Sequence, residues 1–157
     1  MMEPQEEALL FFRKMVFAVY YEIGGLTPRI HRKLADKANI TNSYFHGEKA
    51  RQSAEIYQRT VQETDPEAIE APYVLRTRLT LQDVAVAFHE GRWQNKFGGY
   101  NLGGPRWAKI ADVTLQLRDA IQRQDWAAAT ELVYEAKKLR TNQGYLVGMF
   151  DWSERTH

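Results

Sequence analysis

The chain has 157 residues, with 21 Lys plus Arg against 20 Asp plus Glu, four His and no Cys. This length suits a single domain spanning residues 1–157, since one core of such size buries about 68–70% of the unfolded chain's surface without metal or disulfide support. The missing cysteine excludes a disulfide framework, a thiolate zinc site, an iron–sulfur cluster and a cysteine nucleophile, while a net charge of +1 gives no global attraction for nucleic acid or membrane.

The first element is a helix from about Pro4 to Ile23, with Pro4 suited to a first-turn position, Glu6 and Glu7 near the positive end of the dipole, and Gly24-Gly25 as the stop. Arg13, Lys14 and Glu22 interrupt its apolar stretch, so it falls short of the roughly 20 apolar residues that a bilayer span needs. Leu9, Leu10, Phe11, Phe12, Met15, Val16, Phe17, Val19 and Tyr20 cover more than one face. A helix apolar nearly all round is either central in its fold or buried against a second chain, and the expectation here is the second, a homodimer formed through this helix. The acidic start, Glu3, Glu6 and Glu7, is unlike the basic start of a secretory or transit peptide and suggests a cytoplasmic protein.

Thr27-Pro28 reads as an N-cap and first helical position, opening a helix to about Ala38. The next helix is expected from Thr41 or Asn42 to Thr64, and a short one opens at Asp65-Pro66 and closes at Ala71-Pro72. Tyr73 to Leu79 alternates in a way compatible with an isolated extended segment, but no partner strand is evident. Thr80-Leu81-Gln82-Asp83 resembles a capping box with Asp in place of Glu, predicting a helix from Leu81 to about Glu90 that stops at Gly91.

From Gly91 to Pro105 there are five Gly together with Trp93, Phe97 and Tyr100. Loops of about 12–15 residues without structure of their own are uncommon and often functional. Pro105 then opens a helix carrying Trp107, Ile110, Ala111, Thr114, Leu117 and Ile121 on one face, and Asp125 caps a second helix that buries Ala128, Ala129, Leu132, Val133, Ala136 and Leu139. These two form an antiparallel helical hairpin. A last amphipathic piece, Tyr145, Leu146, Met149, Phe150 and Trp152, packs back or meets a partner. The fold class is therefore all-α, a compact domain of about five to seven helices.

The chemistry-bearing fragments are incomplete. His89-Glu90-Gly91-Arg92-Trp93 starts like a metalloprotease helix, but Trp93 stands where the second His must fall. His46-Gly47-Glu48 has the order of a deaminase motif, yet without Cys the downstream ligand pair is missing. Ser43, Ser53 and Ser153 are the only serines, and none lies in a nucleophile elbow. No metal or cofactor site is predicted.

Two binding candidates remain. The first is the loop and the helix start after it, Trp93, Phe97, Tyr100, Arg106, Trp107 and Lys109, where backbone N–H groups and two cations could meet a partner or a small anion. The second is a basic stretch containing Arg29, Arg32, Lys33 and Lys37; residues 29–51 carry +4, but residues 55–83 carry −3. Adjacent segments of opposite sign argue for internal or intersubunit complementarity and against nucleic acid. The leading expectation is a non-catalytic binding or scaffolding domain. The alternative is a small enzyme or sensor for an anionic molecule, with His89 or Glu90 as acid or base.

Overall fold

The computed structural model describes residues 2–23, 55–90, 105–141, 144–148 and 150. The helices expected over 27–38 and over the first part of 41–64 lie outside these residues, as does most of the glycine-rich loop. The described elements are α1 (Pro4–Ile23), α2 (Pro66–Thr77), α3 (Leu81–Glu90), α4 (Pro105–Gln122), α5 (Trp126–Ala136), and the strands β1 (Arg140–Thr141) and β2 (Gly144–Tyr145). Residues 55–60 add a helical segment before α2, four residues shorter at its end than the sequence pattern suggests. The all-α class holds, and the one departure is a two-residue antiparallel ladder pairing Arg140 with Tyr145 and Thr141 with Gly144.

α1 has the expected bounds. Ala8, Leu9, Phe11, Phe12 and every residue from Met15 to Tyr20 are buried within the single chain, because α1 packs against α2, α3, α4 and α5. Tyr57 in the segment 55–60 closes over Phe17, with ring centroids 5.7 Å apart. Phe150 meets Phe11 edge-on at 5.4 Å. Of the two ways to bury an all-round apolar helix, the described residues of this chain use the internal one for most of α1.

The closure expected at Ala71-Pro72 is also corrected, since α2 continues through Pro72 to Thr77. Pro72 is the seventh residue of the helix and lacks the N–H that would reach the Ala68 carbonyl, a loss of about 3 kcal/mol in a helix interior. Against it stand Ile69, Tyr73 and Thr77, spaced by four residues and all buried. Ile69 and the ring of Tyr73, the two large side chains of this set, contribute about 1.5–3 kcal/mol each, enough to carry the helix past the proline. The extended alternative for Tyr73 to Leu79 is excluded. Arg78 ends α2 in the left-handed region at φ 61°, its N–H donating to the Val74 carbonyl.

The local signals further on are realised as read. The Thr80 N–H donates to Asp83 Oδ2 at 3.1 Å while the Asp83 N–H donates to Thr80 Oγ1 at 3.0 Å, a reciprocal capping box at the start of α3. Asp125 Oδ1 accepts from the Ala128 N–H at 3.1 Å and caps α5. Between α4 and α5, Gln124 turns the chain with φ 56°, completing the hairpin.

Two tyrosines join α1 to α2. The Tyr20 hydroxyl donates to the Leu79 carbonyl at 2.6 Å, and its ring stacks on that of Tyr73 at 4.8 Å. The buried Tyr73 hydroxyl has no hydrogen-bond partner among the described residues. Burial, helped by Glu70 at Tyr20 and by Tyr57 at Tyr73, holds both phenols well above their ordinary value of 10. The unfolded chain thus releases these protons first, so their contribution is complete below about pH 10 and is lost as pH rises above it. Tyr73→Phe removes an unsatisfied hydroxyl, and at neutral pH stability should stay level or rise by up to about 1 kcal/mol. Above pH 10 its stability should fall less steeply than that of the parent, by up to about 1.4 kcal/mol per pH unit. Melting curves from neutral to strongly alkaline pH check both; a Tyr73→Phe protein less stable at pH 7 would show that the hydroxyl is satisfied in solution.

Candidate functional site

Most of the residues expected to form a site are either outside the described residues or apart from one another. Trp93, Phe97 and Tyr100, and likewise Arg29, Arg32, Lys33 and Lys37, fall outside. Trp107 is 1% exposed, and its ring lies 6.0 Å from that of Phe88. The α4 face that carries Ile110, Thr114 and Leu117 carries Trp107 into the core with them.

Arg106 and Lys109 are exposed but engaged. The Arg106 guanidinium donates from Nη1 to the Thr141 carbonyl at 2.9 Å. Lys109 Nζ lies 2.8 Å from Glu135 Oε1, and the hydrogen bond and charge of Glu135 hold its ammonium above the usual lysine range. Both cations thus brace α4 against α5 and β1.

His89 sits at the end of α3 with Nε2 2.9 and 3.0 Å from the two Asp112 oxygens. A carboxylate only accepts, so Nε2 carries the proton. An imidazole oriented by a carboxylate is one half of an acid–base arrangement. Arg106, expected here to bind an anion, and Asp112 are six positions apart on α4, about 9 Å along the axis and about 240° around it. Among the described residues no group of three or more His, Asp or Glu could hold a metal ion. No described helix is long and apolar enough to cross a membrane.

A cleft that sequence reasoning missed lies between α2 and the second half of α4, with a volume of about 910 Å³. One wall is apolar, formed by Ala71, Pro72, Val74 and Leu75. Leu75 is 85% exposed, the most exposed of the large hydrophobic side chains among the described residues. On the other side, Arg118 Nη1 donates to Glu70 Oε1 at 2.7 Å, with the two side chains 27% and 12% exposed. The second carboxylate oxygen accepts from the Leu81 N–H at 3.3 Å. An interhelical ion pair and a hydrogen bond from the start of α3 therefore fix the geometry of this wall. Glu67 and Gln122 are shared with a smaller, mainly polar hollow of about 500 Å³ that adds Gln5, Asp65, Gln124 and Trp126. The trough is thus apolar at one end and polar with an acidic lip at the other.

The signal for Leu75 was present in the sequence. Once Tyr73 to Thr77 is helical, the spacing that buries Ile69, Tyr73 and Thr77 turns Leu75 outward. Comparison with protein-family models, with curated proteins and with solved structures returned no match.

Proposed function

We propose that this chain is a non-catalytic binding domain whose docking surface is the cleft between α2 and α4. The observation that carries the reading is Leu75, a large apolar side chain left in solvent at the rim of a cleft whose opposite wall is held by the Glu70–Arg118 pair. A folded chain gains nothing from such exposure, whereas a partner's apolar side chain laid against Leu75, Val74 and Pro72 would gain about 25 cal/mol for each Å² removed from water. Asp65 and Glu67 stay on the lip after the Glu70–Arg118 pair is discounted. The fitting partner is a protein segment presenting an apolar residue flanked by a basic one. Electrostatics of that kind set register and encounter rate more than affinity.

The test is site-specific photo-crosslinking in the cell of origin, with p-benzoylphenylalanine in place of Leu75 and, as a control, in place of the exposed Gln82 on α3. The expected result is one discrete heterologous adduct from position 75 and none from position 82. Adducts only with a second copy of the chain would turn the cleft into a self-association surface. Equal labelling from both positions would remove the proposal.

A further inference from the structure

The end of α5 and the short ladder gather charge and aromatic surface that the cleft does not use. Lys138 follows the last turn of α5, with Nζ 4.3 Å above the ring of Tyr134. Arg140 on β1 faces Tyr145 on β2 in the ladder register, with its guanidinium carbon 4.7 Å above that ring. The Arg106 bond to the Thr141 carbonyl ties a third cation to the same strand. Tyr134 and Tyr145 are 61% and 54% exposed.

The neighbouring charges do not cancel this corner. Lys137 is paired with Glu7 at 3.4 Å and Lys109 with Glu135 at 2.8 Å, leaving Arg106, Lys138 and Arg140 without a carboxylate partner among the described residues. Glu131, one turn before Tyr134, bounds the patch on that side. Helix stability accounts for part of the arrangement, since cations after the end of α5 gain about 0.3–1 kcal/mol from its dipole. It does not account for Arg106, which stands at the positive end of α4 where the same dipole disfavours it and where no acidic residue shares the first turn. Nor does it account for Arg140 on an exposed two-residue strand.

We propose that this corner binds single-stranded nucleic acid. Its chemistry alternates cations, which meet phosphates, with tyrosine rings that each lie under a cation and are more than half exposed. Bases stack on such rings without regard to sequence, and arginine adds cation–π attraction. The rings decide between partners: an acidic peptide would use the cations alone, and a duplex keeps its bases stacked on one another. The near-zero net charge of the chain conceals the patch, because it is a local sum of residues drawn from α4, α5 and β1.

The test is fluorescence anisotropy of the full chain with a labelled oligothymidylate of roughly 20 nucleotides, from about 50 to 200 mM salt. Binding is expected at the lower salt, with log affinity falling against log salt at a slope of about −2, as three phosphate contacts on a single strand imply. Tyr134→Ala with Tyr145→Ala should weaken binding at least about fivefold at fixed salt and leave the slope unchanged. Lys138→Gln with Arg140→Gln should weaken it and reduce the slope by about 1.4. Circular dichroism melts should show both variants folded like the parent, as expected for exposed positions. No anisotropy change at the lower salt would overturn the proposal. So would equal binding of a duplex of the same length, or displacement by polyglutamate together with indifference to the tyrosine changes, which would mark an acidic protein surface instead. The inference is independent of the cleft, and a Leu75→Ala protein should bind the oligonucleotide like the parent.

Discussion

Replacing Phe12 with alanine is expected to lower the unfolding free energy by about 3–5 kcal/mol, the range for deleting a buried aromatic side chain. Phe12 is fully buried in the middle of α1, the helix against which α2, α3, α4 and α5 all pack. The cavity cannot close easily, because the covering helices are also packed on one another. Against a total stability of about 5–15 kcal/mol for a domain, such a loss should move the urea midpoint far down and leave the slope of the transition intact. Leu75→Ala, on the exposed rim of the cleft, should stay within about 0.5 kcal/mol of the parent. The same melts answer the interface question: midpoints measured at protein concentrations about a hundredfold apart should coincide, since mass action makes a dimer's stability depend on concentration. A midpoint that climbs with concentration, and a Phe12→Ala protein that loses this dependence, would mark α1 as a contact between copies.

The second large effect concerns the pair in the cleft wall. Arg118→Ala leaves the Glu70 carboxylate, 12% exposed, with the Leu81 N–H as its one hydrogen-bond donor among the described residues. Breaking a buried pair from one side costs about 3–5 kcal/mol; Arg118 keeps contact with water, so roughly 2–3 kcal/mol is expected here. Changing both partners to apolar residues of similar size, Glu70→Leu with Arg118→Met, should recover most of the loss, because desolvation of the two charges then disappears with their attraction. A double-mutant cycle on urea unfolding reads the coupling. Additive single effects would mean that the two side chains do not meet in solution.

How much of this was legible beforehand depends on how far each determinant lies along the chain. Asp125 and the Thr80–Asp83 box act within four residues, and both helices start where those signals stand. Pro72 is a local stop that lost to Ile69, Tyr73 and Thr77, whose burial rests on contacts with α1 about fifty residues away. An apolar pattern all round α1 fits two arrangements equally, and the residues that decide between them are on α4 and α5. Glu70 and Arg118 are separated by 48 residues, with no spacing rule to join them. Trp107 was visible both as part of an apolar helix face and as part of an aromatic run, and the helical period was the better guide. Lys138 and Arg140 follow α5, where cations suit a helix end, and the two-residue ladder that sets Arg140 beside Tyr145 is too short for a period to announce it.

The central position of α1 also bears on how the chain is made. This helix leaves the ribosome well before α4 and α5, the helices that cover much of it, and roughly a hundred residues must follow before α5 is complete. At about 5–20 residues per second this largely buried helix waits roughly 5–20 s for its partners. During that interval its phenylalanines are the natural target of whatever shields nascent chains, and the yield of folded protein should depend more on that protection than on the stability finally reached.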